Sequence, residues 1–334
     1  MNRTKMKMVL ANHPHLLRLF RIPLILLPRL YCRYSPWKTS KLLLWNAVIA
    51  HTWWMESQVI ARTRFGDFLH IDPTEILGKH IYYFGVWEPC LTSWLLERLN
   101  SGDVFIDVGA NIGYFSLLAS HIVGPSGKVV AVEAVPDIAG VLSDNLKRNG
   151  ATNVRLVNIA AWNKDDILTF FTDNHLSGKS TCLESHADKW KLTRKNEIKA
   201  QPISDILTTS EIQSARIVKI DVEGAEIEVI SGMQAIMPLF NNNVEFVIEI
   251  SLDSLNSHDI NGNSFLEWFA DWGFKGYEMS NNYDIKSCIS TKPFPRPKRL
   301  RKLEWGNRSE MDIVFSKIDA DYLYRECPIY SLSK

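Results

Sequence analysis

From residue 104 onward, short continuous apolar runs alternate with helix-length amphipathic segments, and this alternation limits the possible folds more than any other feature of the chain. The apolar runs are Val104–Val108 (VFIDV), Lys128–Glu133 (KVVAVE), Val154–Ile159 (VRLVNI), Arg216–Asp221 (RIVKID) and Val244–Ile250 (VEFVIEI). Between them the pattern predicts helices near 113–122, 137–149, 225–237 and 264–272. Strands that are apolar on both faces and joined by helical crossovers form a mainly parallel sheet covered by helices on both sides. The expected fold class is therefore α/β, a doubly wound sheet of seven strands. Two further strand-like stretches, 166–172 and 197–203, fall within the long third crossover, and Met311–Lys317 (MDIVFSK) is expected as a final edge strand. Upstream, residues 59–72 alternate around Phe65-Gly66-Asp67 in a hairpin pattern.

With 46% hydrophobic and 22% charged residues among 334, the chain can bury a sizeable core, which excludes fibrous and disordered classes. The formal charge of +1 gives no field suited to a dedicated nucleic-acid binder, so no nucleic-acid partner is expected. That average conceals an asymmetry. Residues 1–55 hold nine Lys and Arg and no Asp or Glu, leaving 29 basic against 37 acidic groups in the remainder. Five widely spaced cysteines with no C-x-x-C favour a reducing compartment over a disulfide framework or structural zinc. Residues 16–31 are broken by Arg18, Arg21, Pro23, Pro28 and Arg29, so no membrane-spanning run is present. The expected location is the cytoplasm.

Residues 1–57 are expected as a basic, amphipathic helical extension, with residues 58–334 forming the main domain and its leading hairpin. Within residues 8–31 the apolar side chains are mixed with cations only, and Trp37, Trp45, Trp53 and Trp54 follow. Such a segment suits peripheral attachment to the inner face of a membrane with anionic lipid. A helical lid, a homo-oligomer contact and a transit peptide stay open beside it. The segment KPFPRPKRLRK at 292–302 reads as a loop; its six cations suit either a diphosphate or an anionic lipid surface, or are simply solvated.

The first strand runs into the turn Asp107-Val108-Gly109-Ala110-Asn111-Ile112-Gly113. A dinucleotide fingerprint would read G-x-G-x-x-G, for close backbone approach to pyrophosphate. Here it is G-x-N-x-G with a carboxylate two residues earlier, a poor neighbour for phosphate and a good one for an amine. Glu133 ends the second strand, where a carboxylate can accept both ribose hydroxyls. The fourth strand ends in Lys219-Ile220-Asp221-Val222-Glu223-Gly224, with Lys219, Asp221 and Glu223 on one side by alternation. Asp221 is the candidate base or substrate-orienting group, followed by Glu223 and by Glu249 at the end of the fifth strand. Capping of the next helix is an equal reading for Asp221 and Glu223. No metal ligand set is expected, and His258 reads as a surface-loop residue.

The runs VFIDVGANIGYFSLLA, VVAVEAVP, VRLVNIAAW and ARIVKIDVEGAEIEVISGM resemble the FkbM-type family of S-adenosylmethionine-dependent methyltransferases, which are Rossmann-like. The resemblance extends from TRFGDFLHIDPTEILGKHIYYFGVWEP to MDIVFSK, roughly residues 63–317. It implies S-adenosylmethionine as cofactor, with S-adenosylhomocysteine as product. Asp107, Gly109, Asn111 and Gly113 would then cradle the methionine part and Glu133 the ribose; Ala160 and Ala161 would face the adenine. Glu88, in Gly85-Val86-Trp87-Glu88-Pro89, matches an element near the cofactor pocket, and a helix cap is an equal reading. The implied activity is O-methylation of a hydroxyl on a small molecule or glycan, such as a sugar of a glycolipid, polysaccharide or secondary metabolite. N-methylation is a second reading, and a membrane-associated, non-catalytic binding protein on the same fold is a third.

Overall fold

The computed structural model describes residues 26–47, 49, 58–172, 180–281, 284–290 and 294–318. Trp53, Trp54, Lys292 and most of the segment 8–31 lie outside the described residues. The chain enters through helices α1 (Leu27–Tyr34) and α2 (Lys38–Ala47). An antiparallel hairpin follows, β1 (Val59–Arg62) with β2 (Phe68–Ile71), then helices α3 (Ile76–Phe84) and α4 (Pro89–Arg98).

The main sheet begins with β3 (Val104–Val108), in which all five residues are buried. Helix α5 (Tyr114–Val123) leads to β4 (Lys128–Glu133), and α6 (Pro136–Arg148) leads to β5 (Val154–Asn158). The third crossover then builds a sheet of its own. It contains β6 (Ala160–Trp162), β7 (Asp166–Thr172), β8 (Ser180–Thr181), helix α7 (Glu184–Trp190) and β9 (Arg194–Pro202), with strand order β6-β9-β7-β8. The chain returns to the main sheet on the other side of β3 with β10 (Ala215–Ile220) and, after helix α8 (Glu226–Met233), β11 (Glu245–Ser251). The helix expected to reach residue 237 changes at Gln234 into a 3-10 segment that contains Pro238, where a proline cannot supply an N–H to a longer α-helix. Helix α9 (Gly262–Asp271), β12 (Lys275–Met279), β13 (Lys298–Arg299) and β14 (Glu310–Ser316) complete the described fold.

The order β13-β12-β14-β11-β10-β3-β4-β5 contains seven longer strands and one of two residues. β3, β4, β5, β10 and β11 are parallel; β14 runs antiparallel to both β11 and β12. The fold is thus the Rossmann-like, doubly wound α/β class. One expectation fails. MDIVFSK is not an edge strand: β14 is inserted between β11 and β12, where Ile313, Val314 and Phe315 are fully buried, and the edge falls to Lys298–Arg299 of the basic segment. Two exposed basic residues with a Pro-rich approach make an edge that discourages further pairing.

Alternation along the strands divides the core into two layers. Phe105, Val129, Ala131, Ile217 and Val247 pack toward α4, α5 and α6; Ile106, Val130, Val218, Phe246 and Ile248 pack toward α8 and α9. Strand order reverses between β3 and β10, so their carboxyl ends open a crevice, the place where doubly wound sheets bind ligands.

Candidate active site

The turn after β3 builds one wall of the crevice. Gly109 has φ +81°, and a Cβ there would lie 1.8 Å from the Asp221 carbonyl oxygen, so only glycine lets the ends of β3 and β10 approach this closely. Asn111, at φ +51°, donates its backbone N–H to Glu133 Oε2 at 2.8 Å. Val135 N donates to Glu133 Oε1 at 2.9 Å. Glu133 also lines the crevice, so its carboxyl oxygens are placed to accept hydroxyls of a ligand there. Burial pushes the Glu133 carboxyl up to about 7, against the pull of those backbone N–H groups.

A cavity of about 350 Å³ occupies the crevice. Gly109, Asn111, Glu133, Ala160, Ala161, Asp221, Glu223, Glu249 and Glu88 all line it. Asp107 and Gly113, from the same turn, are not among the lining residues. Asp107 is 1% exposed and lies beneath: its Oδ2 accepts from Ser116 Oγ at 2.6 Å, and Lys219 Nζ stands 3.9 Å from its Oδ1. Gly113 lies against α6, where a Cβ would meet Leu142 at 2.3 Å. Trp87, Trp162, Trp190 and Phe170 supply the aromatic part of the lining, and Glu75 and Glu310 bring its carboxyl groups to seven. No Lys, Arg or His lines the cavity among the described residues.

The acids gather because of strand register. Lys219 pairs with Asp107 on β3 and with Val247 on β11, so Asp221 and Glu249 follow at adjacent strand ends. Glu249 pairs in turn with Asp312 on β14, and period-two alternation sends all of these side chains to one face. Lys219, with only 4% of its side chain exposed, places Nζ 2.8 Å from Asp221 Oδ2. Burial alone would raise the Asp221 carboxyl, but the Lys219 ammonium and a hydrogen bond shared with Glu249 hold it below the usual aspartate range. Its neighbours move the other way. Burial, then the charges of Asp221, Asp312 and Glu88, push Glu249 well above the usual glutamate range. Burial together with Asp312 and Asp221 takes Glu88 up to about 8, and burial with Asp221 takes Asp312 up to about 7. Asp221 is therefore the member of this group that most readily stays ionised, while burial favours the protonated form of Glu249, Glu88 and Asp312.

Helix capping does not account for these residues. α8 is preceded by Ala225 without a side-chain cap, and Gly224 N donates instead to Glu226 Oε1 at 2.8 Å. Glu88 stands at the cap position of α4 in the left-handed region, φ +38°, yet makes no cap hydrogen bond; its Oε2 accepts from Asn281 Nδ2 at 2.8 Å. His258 lies away from the cavity, bonded to Glu228 Oε1 and to the Ser254 carbonyl, both at 2.8 Å. Glu75, Trp190, Asp312, Asn281 and Glu310 are among the residues that sequence reading missed. A lone acid inside the apolar run of MDIVFSK was the available signal for Asp312; Asn281 offers none.

A family model described as "Methyltransferase FkbM domain" matches residues 107–275, just over half of the chain. The chain belongs to that family. The hexuronic acid methyltransferase AglP of Haloferax volcanii is 29% identical over 141 residues, 42% of this chain and 53% of that protein. A protein-L-isoaspartate O-methyltransferase of Methanococcus aeolicus is 34% identical over 59 residues, 18% of this chain and 27% of that one. The chain thus matches about a quarter to a half of the length of these curated relatives. A crystal structure of the methyltransferase FkbM from Methylobacillus flagellatus aligns over 65% of this chain and 44% of that chain, with 14% identity and a TM-score of 0.40. The FkbM family is one of S-adenosylmethionine-dependent methyltransferases, and the residues present in this FkbM-domain protein fit that cofactor. Glu133 offers acceptors for ribose hydroxyls, and the acidic crevice, with Asp221 ionised and no cation in its lining among the described residues, suits a sulfonium and gives a pyrophosphate no partner.

Proposed function

We propose that this FkbM-domain protein is an O-methyltransferase that acts on a hydroxyl of a sugar or a similar polyhydroxylated acceptor. The observation that carries this reading is the lining of the cavity, seven carboxylates and three tryptophans with no cation among the described residues. Carboxylates accept hydrogen bonds from vicinal hydroxyls, and tryptophan faces cover the apolar surface of a sugar ring. Glu133, Asn111, Gly109, Ala160 and Ala161 would hold the cofactor. Bound S-adenosylmethionine supplies a methyl group on a sulfonium that leaves as a thioether. Asp221 then has one task, to accept the hydroxyl proton as the oxygen forms its bond to the methyl carbon. Lys219 keeps Asp221 ionised for that task, and Glu249 orients it through their shared hydrogen bond.

Incubation with labelled S-adenosylmethionine and matched glycosides, read by mass spectrometry, tests the reading. A neutral glycoside should take up label, and Asp221→Asn should lower kcat about a hundredfold while S-adenosylhomocysteine binding changes little. An Asp221→Asn enzyme as fast as wild type would remove the proposed base. The same acidic lining also favours an amine acceptor, so an aminosugar belongs in the panel; label on its nitrogen alone would replace the hydroxyl reading by N-methylation.

A further inference from the structure

Helices α1 and α2 present a surface that the active site does not use. α1 turns its cations inward. Arg33 Nη2 donates to the carbonyls of Arg62, Ile81 and Tyr82 at 2.5, 3.1 and 3.3 Å, and the Arg29 guanidinium lies 4.3 Å from the centre of the Tyr82 ring. Lys41 of α2 is buried as well. What faces outward is apolar: Leu27 (55% exposed), Leu30 (53%) and Tyr34 (77%) recur at helical spacing on one stripe, and Trp37 beyond the end of α1 is 70% exposed. A surface helix of a soluble protein ordinarily does the reverse, burying its apolar stripe and solvating its charges.

We propose that this face docks on an anionic lipid bilayer, with Leu27, Leu30, Tyr34 and Trp37 entering the headgroup layer. Aromatic side chains with an apolar body and a polar tip suit that layer. Charge selects the lipid over a second copy of the chain. Residues 1–55 carry nine Lys and Arg without one Asp or Glu; Arg29, Arg33 and Lys41 turn into the fold, and the other six still give the segment a net positive charge by sequence, so apposing two such segments sets like charges together, whereas anionic headgroups supply the counter-charge. Among the described residues no helix is long and apolar enough to cross a membrane, and the proposed contact is one of surface attachment.

Co-sedimentation of the full chain with vesicles of phosphatidylcholine and phosphatidylglycerol in equal parts tests the proposal. Wild-type protein should sediment with these vesicles, and at least about tenfold less with phosphatidylcholine alone or in high salt. The combined variant Leu27→Ser, Leu30→Ser, Trp37→Ser should lose at least about tenfold in partitioning while its circular dichroism and melting temperature stay unchanged, because the replaced side chains are exposed. A full chain that stays in the supernatant, or a variant that sediments as well as wild type, would overturn it. So would a wild-type dimer in analytical ultracentrifugation that the triple variant abolishes, since the face would then belong to a second copy.

Discussion

Lys219 is a buried ammonium with two carboxylates around it, Asp221 at 2.8 Å and Asp107 at 3.9 Å, and the Phe115 ring 5.2 Å away. Removing it leaves those acids buried without a counter-charge. Lys219→Met should therefore cost about 3 kcal/mol of stability, measured by urea unfolding. With the cation gone, burial dominates at Asp221, and the acid limb of the pH profile of kcat/KM should move up by about one unit or more. Lys219→Arg, which keeps the charge, should restore much of both; a Met variant with an unmoved acid limb would show that the lysine is structural only. Period-two alternation was enough to place Lys219 and Asp221 on the same side of their strand, and the turn and Glu133 were equally legible because each follows a strand end. The burial of Asp107 beneath the cavity was not, since its partner Ser116 lies on the next helix and alternation does not say how deep a side chain sits. Nor was the contact of Glu88 with Asn281, 193 positions away in sequence, which only the tertiary fold creates.

The junction of β3 with β10 is set by backbone contact. Gly109→Ala would put a methyl group 1.8 Å from the Asp221 carbonyl oxygen at a φ of +81°, a strain of about 3 kcal/mol or more. Chemical denaturation should record that loss, and calorimetry should show S-adenosylhomocysteine binding weakened at least about tenfold, because the two strand ends must part. Unchanged stability and affinity would mean that the crevice tolerates a wider opening. At this scale the parallel strands and their helices follow from the pattern, because continuous apolar runs leave few alternatives. Partner choice among antiparallel strands is different. β14 and an edge strand share the same composition, and only the pairing of Glu249 with Asp312 and of Met279 with Asp312 shows that it lies inside the sheet.

The molecule as a whole stores protons. Glu133 and Glu226 sit near 7, Asp312 near 7 and Glu88 near 8, each raised first by burial above ordinary values of 4.5 or 3.8. Between those limits the folded chain binds more protons than the unfolded chain, so stability falls as pH rises through the window. Glu211 acts in the opposite sense: Arg155 and Lys128 outweigh burial and hold it at about 2, which adds stability that is lost as pH falls below 4.5. The melting temperature of the free protein should therefore be at least about 3 °C higher near pH 5.5 than near pH 8. A melting temperature that climbs across that interval would contradict the protonation of these acids.

Insertion of β14 between β11 and β12 has a consequence for biosynthesis. Residue 275 leaves the ribosome before residue 310, yet β12 has no partner in the sheet's interior until the later segment arrives to fill the gap. A nascent chain can assemble β3, β4, β5, β10 and β11 in turn, but Asp312 joins the acids only once synthesis has passed it. Maturation of the crevice is thereby tied to translation of the segment Glu310–Ser316.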